Sequence, residues 1–198
     1  ALYEDTSRRE EHVKHYRMSA GTYTAISYSQ PVHYLDAGTY REIDNTLYTT
    51  QVGGKSVLRN RSNAFTAAFP SSMSSTDEIS MTHGNHQIFW KIGTGTDNNL
   101  STMSAVLENR VGTATATETA TLAANTSAAM ENISMSDVTV AGKTAEELPG
   151  LALSQGKVSY MANPRMVYEY TVTGNKVKES IILASVPSET AYSFTFRT

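Results

Sequence analysis

The sequence predicts an all-β protein, a two-sheet antiparallel β-sandwich with at most one or two short helices. Three observations predict this fold class. Segments in which apolar and polar residues alternate recur along the chain, and turn signals separate them at roughly 8–12-residue intervals. The 198 residues include eleven tyrosines, and threonine is abundant, as is typical of strands. The pattern gives about eight to eleven short strands, a number typical of sandwiches and barrels.

The first element is ambiguous between helix and strand. Residues 5–18 are polar and charged. Ser7 and Glu10 have the spacing of a capping box, which predicts a short helix. His15 to Met18 alternatively begin a strand, and we favour a short helix or coil followed by a strand.

A hairpin follows. Thr24, Ile26 and Tyr28 alternate with Tyr23, Ala25 and Ser27 and predict a half-buried strand that Pro31 ends. Two short strands, 32–35 and 40–43, are joined by Asp36-Ala37-Gly38, which has the composition of a tight turn. Further strands are predicted over 47–51 and 64–69 on the same alternation.

Two later regions give the clearest strands. In Gln87 to Ile92, Trp90 is in phase with two isoleucines, which favours a place in the core over an exposed platform that stacks on sugars. Met166 to Val172, Glu179 to Leu183 and Tyr192 to Phe196 each alternate, and Thr173-Gly174-Asn175 is a tight-turn signal. We expect the first hairpins and these last three strands to lie in the same sheets.

The domain organisation is predicted to be a single β-sandwich domain over residues 1–198. Residues 112–130 are a low-complexity run of alternating Thr and Ala that offers little to bury. We interpret this run as an exposed excursion or an edge strand and not as a linker, because neither flanking half looks able to form a core alone.

The composition excludes several classes of function. Cysteine is absent, so disulfides, thiolate metal sites and a cysteine nucleophile are excluded. The net charge of −3 argues against a nucleic-acid partner, which would need a basic face. No apolar run approaches the roughly 20 residues that span a bilayer, so we predict no membrane insertion within this fragment. The chain opens at Ala1 without an initiator Met, and we interpret it as a processed or cloned fragment, compatible with loss of a signal peptide.

Candidate metal ligands are few. His83 and His86 flank Gly84-Asn85, which indicates a turn, and no third ligand is identifiable. His12 and His15 lie in a charged stretch and are interpreted as solvated. We therefore predict no metal site and no cofactor.

Catalytic motifs are also missing. The chain has no G-x-S-x-G elbow and no phosphate-binding glycine loop. The adjacent acids Asp77-Glu78 and Glu146-Glu147 are interpreted as surface residues, whereas a glycosidase needs two convergent carboxyl groups. No catalytic residue is assigned, and the ligand-binding residues are unknown at this stage.

Two segments resemble a known group of proteins. The first is KHYRMSAGTYTAISYSQPVHYLD (Lys14 to Asp36) with YREIDNTL (Tyr40 to Leu47), and the second is VYEY (167–170) with VKESIIL (177–183). Together they resemble the N-terminal β-rich region of large secreted, wall-associated Firmicutes proteins, which carry RHS/YD repeats or DNRLRE-type modules further along. Tyr40 stands where a Trp is usual, and Ala20-Gly21 replaces Asp-Gly. The middle of the chain has no counterpart in this resemblance.

The resemblance implies a secreted or cell-wall-associated module of a Gram-positive bacterium, with no catalytic residues. Within its motif, we expect His33 to bond the adjacent Asp44-Asn45 turn. The expected function is a non-catalytic structural or adhesive module of a larger surface protein, whose partners are the rest of that protein and a glycan or a host or bacterial surface protein. The alternative is a carbohydrate-binding module, which predicts two or three aromatic side chains on one concave face. A glycan-active hydrolase is third and predicts a cleft with two convergent acids.

Overall fold

The computed structural model of the chain describes residues 3–18, 21–92, 102–112, 139–140, 143–144, 153–185, 192 and 194–198. Strands dominate these residues, and their helical content is one 3-10 turn, Thr6–Arg8. The predicted all-β class is therefore confirmed. No helix within the described ranges is long and apolar enough to cross a membrane.

The described residues contain eighteen strands. In chain order they are β1 (Tyr3–Glu4), β2 (Val13–Arg17), β3 (Tyr23–Ser27), β4 (His33–Asp36), β5 (Thr39–Glu42), β6 (Asp44–Val52), β7 (Lys55–Ser62), β8 (Thr66–Pro70), β9 (Ser72–Met73), β10 (Ile79–His83), β11 (His86–Ile92), β12 (Met103–Gly112), β13 (Thr139–Val140), β14 (Lys143–Thr144), β15 (Leu153–Asn163), β16 (Met166–Thr173), β17 (Lys176–Leu183) and β18 (Phe194–Arg197).

The chain forms two compact units. The first unit comprises Ala1–Ile43 and Val111–Ser154, and the second comprises Asp44–Arg110 and Gln155–Thr198. That residues 1–198 behave as a single domain stays a prediction. Of the predicted Thr/Ala excursion, Gly112 ends β12, and residues 113–130 lie outside the described residues.

The second unit is a β-sandwich. One sheet has six strands in the order β18-β11-β10-β8-β7-β6, and the other has five in the order β17-β16-β15-β12-β9. Their inner faces share one apolar core, which includes Phe69 and Trp90 from the first sheet and Val158, Tyr168 and Tyr170 from the second. Trp90 is only 8% exposed, so the prediction that it belongs to the core is confirmed.

In the C-terminal strands, the alternation of apolar and polar residues correctly predicted which faces are buried but did not predict which strands pair. Tyr168, Tyr170 and Val172 are fully buried on one face of β16, and the turn at Gly174, with φ 51°, reverses the chain into β17. However, β18 pairs with β11 in the six-stranded sheet, while β16 and β17 lie in the five-stranded sheet. The expectation that the first hairpins lie in the same sheets as the last three strands is wrong, because β2-β3 and β4-β5 belong to separate small sheets. Alternation fixes the faces of a strand but not its partner.

Close approach within the sandwich requires a glycine at position 156. Gly156 is buried in β15, and a Cβ atom there would lie 2.4 Å from the carbonyl oxygen of Asn45 and 2.5 Å from Cγ of Leu47. Any larger residue would therefore force β15 away from β6.

The first unit holds the three-stranded sheet β1-β2-β3, the hairpin β4-β5 and the short pair β13-β14. The hairpin matches the prediction, and its turn places Ala37 (φ 47°) and Gly38 (φ 83°) in the left-handed region. The capping-box interpretation is wrong: Asp5, not Ser7, caps the 3-10 turn, by accepting a hydrogen bond from the Ser7 amide at 3.2 Å. The strand alternative is correct, since His15 lies within β2.

Candidate functional site

The histidine pairs do not form a metal centre. His83 and His86 face each other across the tip of the β10-β11 hairpin, and both are exposed, as the sequence predicted. Within the described ranges, no group of three or more His, Cys, Asp or Glu side chains is placed to hold a metal ion. His12 and His15 are not solvated as predicted: both are half-buried, His12 Nδ1 lies 3.3 Å from the Tyr28 carbonyl oxygen and His15 Nε2 lies 3.0 Å from Glu10.

The second unit has a groove of about 680 Å³ on the outward face of the six-stranded sheet. Strand register explains how it forms. One cross-strand row of outward-facing side chains follows the pairing of β18, β11, β10, β8, β7 and β6 in turn: Arg197, Phe89, Ser80, Ala68, Arg59 and Tyr48. Large side chains stand at both ends of this row and the two smallest stand in the middle, so the face is hollow along β10 and β8.

The floor of the groove is small and rich in hydroxyl groups. Ser80 and Ala68 lie opposite each other, and the next outward pair along the same strands is Thr82 and Thr66. Strands in a sheet are about 4.8 Å apart, so β11 and β7, which carry the side walls, are separated by about 14 Å. The floor therefore offers hydrogen-bonding groups across the width of an extended polar ligand.

One wall is an aromatic ring covered by a cation. The guanidinium carbon of Arg197 lies 3.5 Å from the centre of the Phe89 ring. Arg197 Nη2 also donates to Glu78 Oε2 at 2.6 Å, and this hydrogen bond lowers the pKa of the Glu78 carboxyl below its usual value. The outer face of Phe89 is thus occupied by the protein's own side chain.

One end of the groove is closed by a second ion pair. Lys55 Nζ donates to Asp77 Oδ1 at 2.6 Å, and the Ser74 amide donates to Asp77 Oδ2 at 3.0 Å. Burial alone would raise the pKa of Asp77, but these hydrogen bonds and the lysine charge outweigh it and lower the pKa. The charges of Lys55 and Asp77 therefore neutralise each other at this end of the groove.

The opposite wall carries an uncompensated cation. Arg59 lies on β7 between Ala68 of β8 and Tyr48 of β6, is half-buried and lines the groove. It forms no ion pair with any residue that the structure describes, whereas Lys55 and Arg197 both do. Arg61, two residues further along the same strand, does not line the groove and stacks over Tyr48 at 5.4 Å.

The groove contains two acids, but their chemistry is not that of a glycosidase pair. Asp77 and Glu78 line the groove, which lies on the surface of the protein, and both are half-buried. A glycosidase keeps one carboxyl group protonated near neutral pH as a general acid. Here the pKa of each carboxyl group is lowered, and each holds a basic side chain. The arrangement is suited to binding and does not supply the general acid.

The first unit has a different polar cluster, in its interior. Lys14, only 1% exposed, forms an ion pair with Glu42, and Arg9 bridges Glu4 at 2.6 Å and Glu42 at 3.2 Å. His33 is fully buried; its Nδ1 donates to the Glu10 carbonyl at 2.7 Å and its Nε2 lies 3.3 Å from Glu4. His33 therefore does not bond the Asp44-Asn45 turn as expected, and the cluster holds the termini of the unit's strands to one another.

Glu4 is the most strongly perturbed acid of this cluster. Burial by itself would raise its pKa, but hydrogen bonds from His33 and Arg9 and the charges of Lys14 and Arg9 lower it to about 2. The carboxylate is consequently ionised across the whole neutral range. These side chains are directed at one another, so we regard the cluster as structural.

Sequence reasoning identified none of the groove residues as a set. They come from four separated stretches of chain, 52–59, 66–82, 87–89 and Thr102, and only the fold brings them together. The available signal was that small residues, Thr66, Ala68, Ser80 and Thr82, stand at outward positions of β8 and β10, and this pattern is uninformative until those strands are known to be neighbours.

Comparison with known proteins adds no relative: no protein-family model, no curated protein and no solved structure matches this chain significantly.

Proposed function

We propose that this chain is a non-catalytic adhesive module of a larger bacterial cell-surface or secreted protein, and that the groove on its six-stranded sheet is the adhesive surface. The observation that carries the proposal is the cross-strand row in which small residues separate two groove walls, Phe89 and Arg59, with Arg197 and Tyr48 at the outer ends of the row. The cell-surface location rests on the sequence resemblance.

The construction of the groove supports binding. Its floor lies on regular strands whose opposite faces are fixed in a packed aromatic core, so its shape is preorganised and little side-chain order must be gained on binding. Its two acids are held in ion pairs by Lys55 and Arg197, which suits recognition and leaves no acid–base pair for hydrolysis.

Carbohydrate is the ligand class that the floor favours. Hydroxyl side chains at Thr66, Ser80 and Thr82 are suited to the hydroxyl groups of a sugar chain. The two or three exposed aromatic side chains expected of a stacking platform are absent from the described lining, in which Phe89 is the one aromatic residue and is covered by Arg197. A glycan would therefore be held chiefly by hydrogen bonds and charge.

A groove-filling substitution tests the proposal. Ser80→Tyr places a large side chain on the floor, and we expect it to abolish binding of the labelled protein to bacterial cells and to isolated cell-wall polysaccharide. Ser159→Tyr is the matched control, because Ser159 is also a half-buried serine of a sheet strand, on the five-stranded sheet. Circular dichroism verifies that both variants fold.

Binding that persists in Ser80→Tyr and disappears in Ser159→Tyr would move the adhesive surface to the other sheet. Binding lost equally in both variants, with both folded, would likewise contradict the groove as the adhesive surface.

A further inference from the structure

We propose that the groove selects an acidic polysaccharide and that Arg59 binds a carboxylate of its sugar units. This inference rests on the proposed function and specifies its ligand. The observation behind it is that Arg59 stands in the groove wall without an ion pair among the described residues, whereas the other charged side chains of the groove are paired with one another.

The basic side chains at the groove differ in whether an acidic partner neutralises them. Lys55 is paired with Asp77 and Arg197 with Glu78, at 2.6 Å in both cases. Arg59 has no such partner among the described residues, although it stands in the wall between the small Ala68 and the aromatic Tyr48. A half-buried guanidinium presents a planar fork of donors, and a carboxylate is the group that such a fork binds with two parallel hydrogen bonds.

The second step distinguishes a glycan from a peptide. An extended peptide is commonly bound at a sheet edge, where unpaired backbone groups add a strand, or in apolar pockets that take its side chains. This groove runs along β8 and β10, which are interior strands of the sheet with both edges paired. The middle of its floor carries Thr66, Ala68, Ser80 and Thr82, which offer hydroxyl groups, while its apolar residues Val57 and Pro70 lie towards one end.

The third step concerns length. The lining follows β8 from Thr66 to Pro70, a rise of about 13 Å at about 3.3 Å per residue, and continues past the strand end through Ser71 and Ser72. Donors and acceptors are distributed along this length, from Thr66 and Thr82 at one end to Ser74 and Asp77 at the other. A polymer of several sugar units would contact the whole lining, whereas a single sugar would contact only a part.

The experiment compares two arginines and two forms of one polymer. Affinities of the 198-residue chain are measured by affinity electrophoresis or biolayer interferometry for polygalacturonate and for its fully methyl-esterified form, which keeps the backbone and loses the charge. Dextran sulfate and poly-glutamate report other anions. We expect tight binding to polygalacturonate alone, weakened by added salt.

The variants are Arg59→Gln and Arg61→Gln. Both replace an outward-facing arginine of β7, but only Arg59 lines the groove. Loss of a charge-assisted pair should weaken polygalacturonate binding about ten-fold or more in Arg59→Gln, and about two-fold or less in Arg61→Gln. Ser80→Tyr should abolish it.

Each different result contradicts one stated claim: the carboxylate, the polysaccharide or the adhesive groove. Equal affinity for the esterified polymer, or an unchanged affinity in Arg59→Gln, overturns the carboxylate assignment. If Ser80→Tyr still abolishes binding in that case, the groove remains the adhesive surface. Preference for dextran sulfate overturns the carboxylate, and preference for poly-glutamate overturns the polysaccharide. Failure to bind any of these polymers overturns the inference, and binding unaffected by Ser80→Tyr overturns the proposed function with it.

Discussion

The two units of this protein are built around different interiors. In the second unit the interior is aromatic and aliphatic: Tyr160, Tyr168 and Tyr170 are fully buried beside Phe69 and Trp90. In the first unit, side chains as polar as Lys14 and His33 are at most 1% exposed and are held by ion pairs and hydrogen bonds.

The difference teaches which forces stabilise each unit. Burial of apolar surface stabilises by about 25 cal/mol per Å² and depends little on pH or salt. A buried ion pair loses hydration energy when it forms, so its net contribution is small, but removing one partner leaves an uncompensated charge and is costly. The second unit should therefore respond to lost volume, and the first to lost or neutralised charge.

The largest expected loss of stability comes from a cavity in the aromatic core of the second unit. Tyr170 lies 5.7 Å from Phe69, 6.4 Å from Trp90 and 6.3 Å from Tyr160, measured between ring centres. We predict that Tyr170→Ala lowers the free energy of unfolding by about 3–5 kcal/mol. Guanidinium unfolding followed by fluorescence of Trp90, the single tryptophan, measures it.

Met161→Ala is the control for this substitution, because Met161 is 61% exposed on β15 and should change stability by less than about 0.5 kcal/mol. Similar small effects in both variants would mean that the second unit does not depend on its aromatic core.

The next effect tests the charged interior. Glu42→Gln keeps the shape of the side chain and removes its charge, and we predict a loss of about 2–4 kcal/mol, because the buried Lys14 then loses the carboxylate that pairs with it. Arg41→Met removes an exposed ion pair with Asp36 in the same unit and should cost less than about 1 kcal/mol. Protection of the β2 and β3 amides against hydrogen exchange reports both. Equal protection in the two variants would contradict a role for the buried charge.

The same contrast explains how far the sequence predicted the structure. Alternation is local, so the strands β11, β16 and β17 and the inward direction of Trp90 could be predicted from it. Burial of Lys14 could not, because its partner Glu42 is 28 residues away and nothing near Lys14 distinguishes it from a surface lysine.

The candidate site was still less predictable. The row from Arg197 to Tyr48 exists because five strand pairings are each in a particular register, and a shift of one residue in any of them would turn a side chain of the row into the core. Asp77 and Glu78 were noted as adjacent acids, but their cationic partners Lys55 and Arg197 come from distant strands. A site whose side chains are brought together by strand register can be identified only once the strand pairing is known.

The smallest effect that sharpens the contrast is the pH dependence of the charged interior of the first unit. The pKa of Glu4 falls from 4.5, its ordinary value, to about 2 in the folded chain. Because the folded pKa is the lower one, the ionised carboxylate stabilises the unit above pH 4.5, and this stabilisation is lost as the pH falls from 4.5 towards 2. After allowance for solvent screening we expect a loss of about 1–2 kcal/mol.

Amide exchange of β2 and β3, corrected for intrinsic rates, should show this loss between pH 6 and pH 3 in the unsubstituted protein. Glu4→Gln should have lower protection at pH 6 and little further change at pH 3, since it has no carboxylate to protonate. Glu78→Gln, which removes an exposed acid of the groove, should leave the pH dependence of β2 and β3 intact. A Glu4→Gln variant with the full pH dependence would show that another group of the cluster, and not Glu4, takes up the proton.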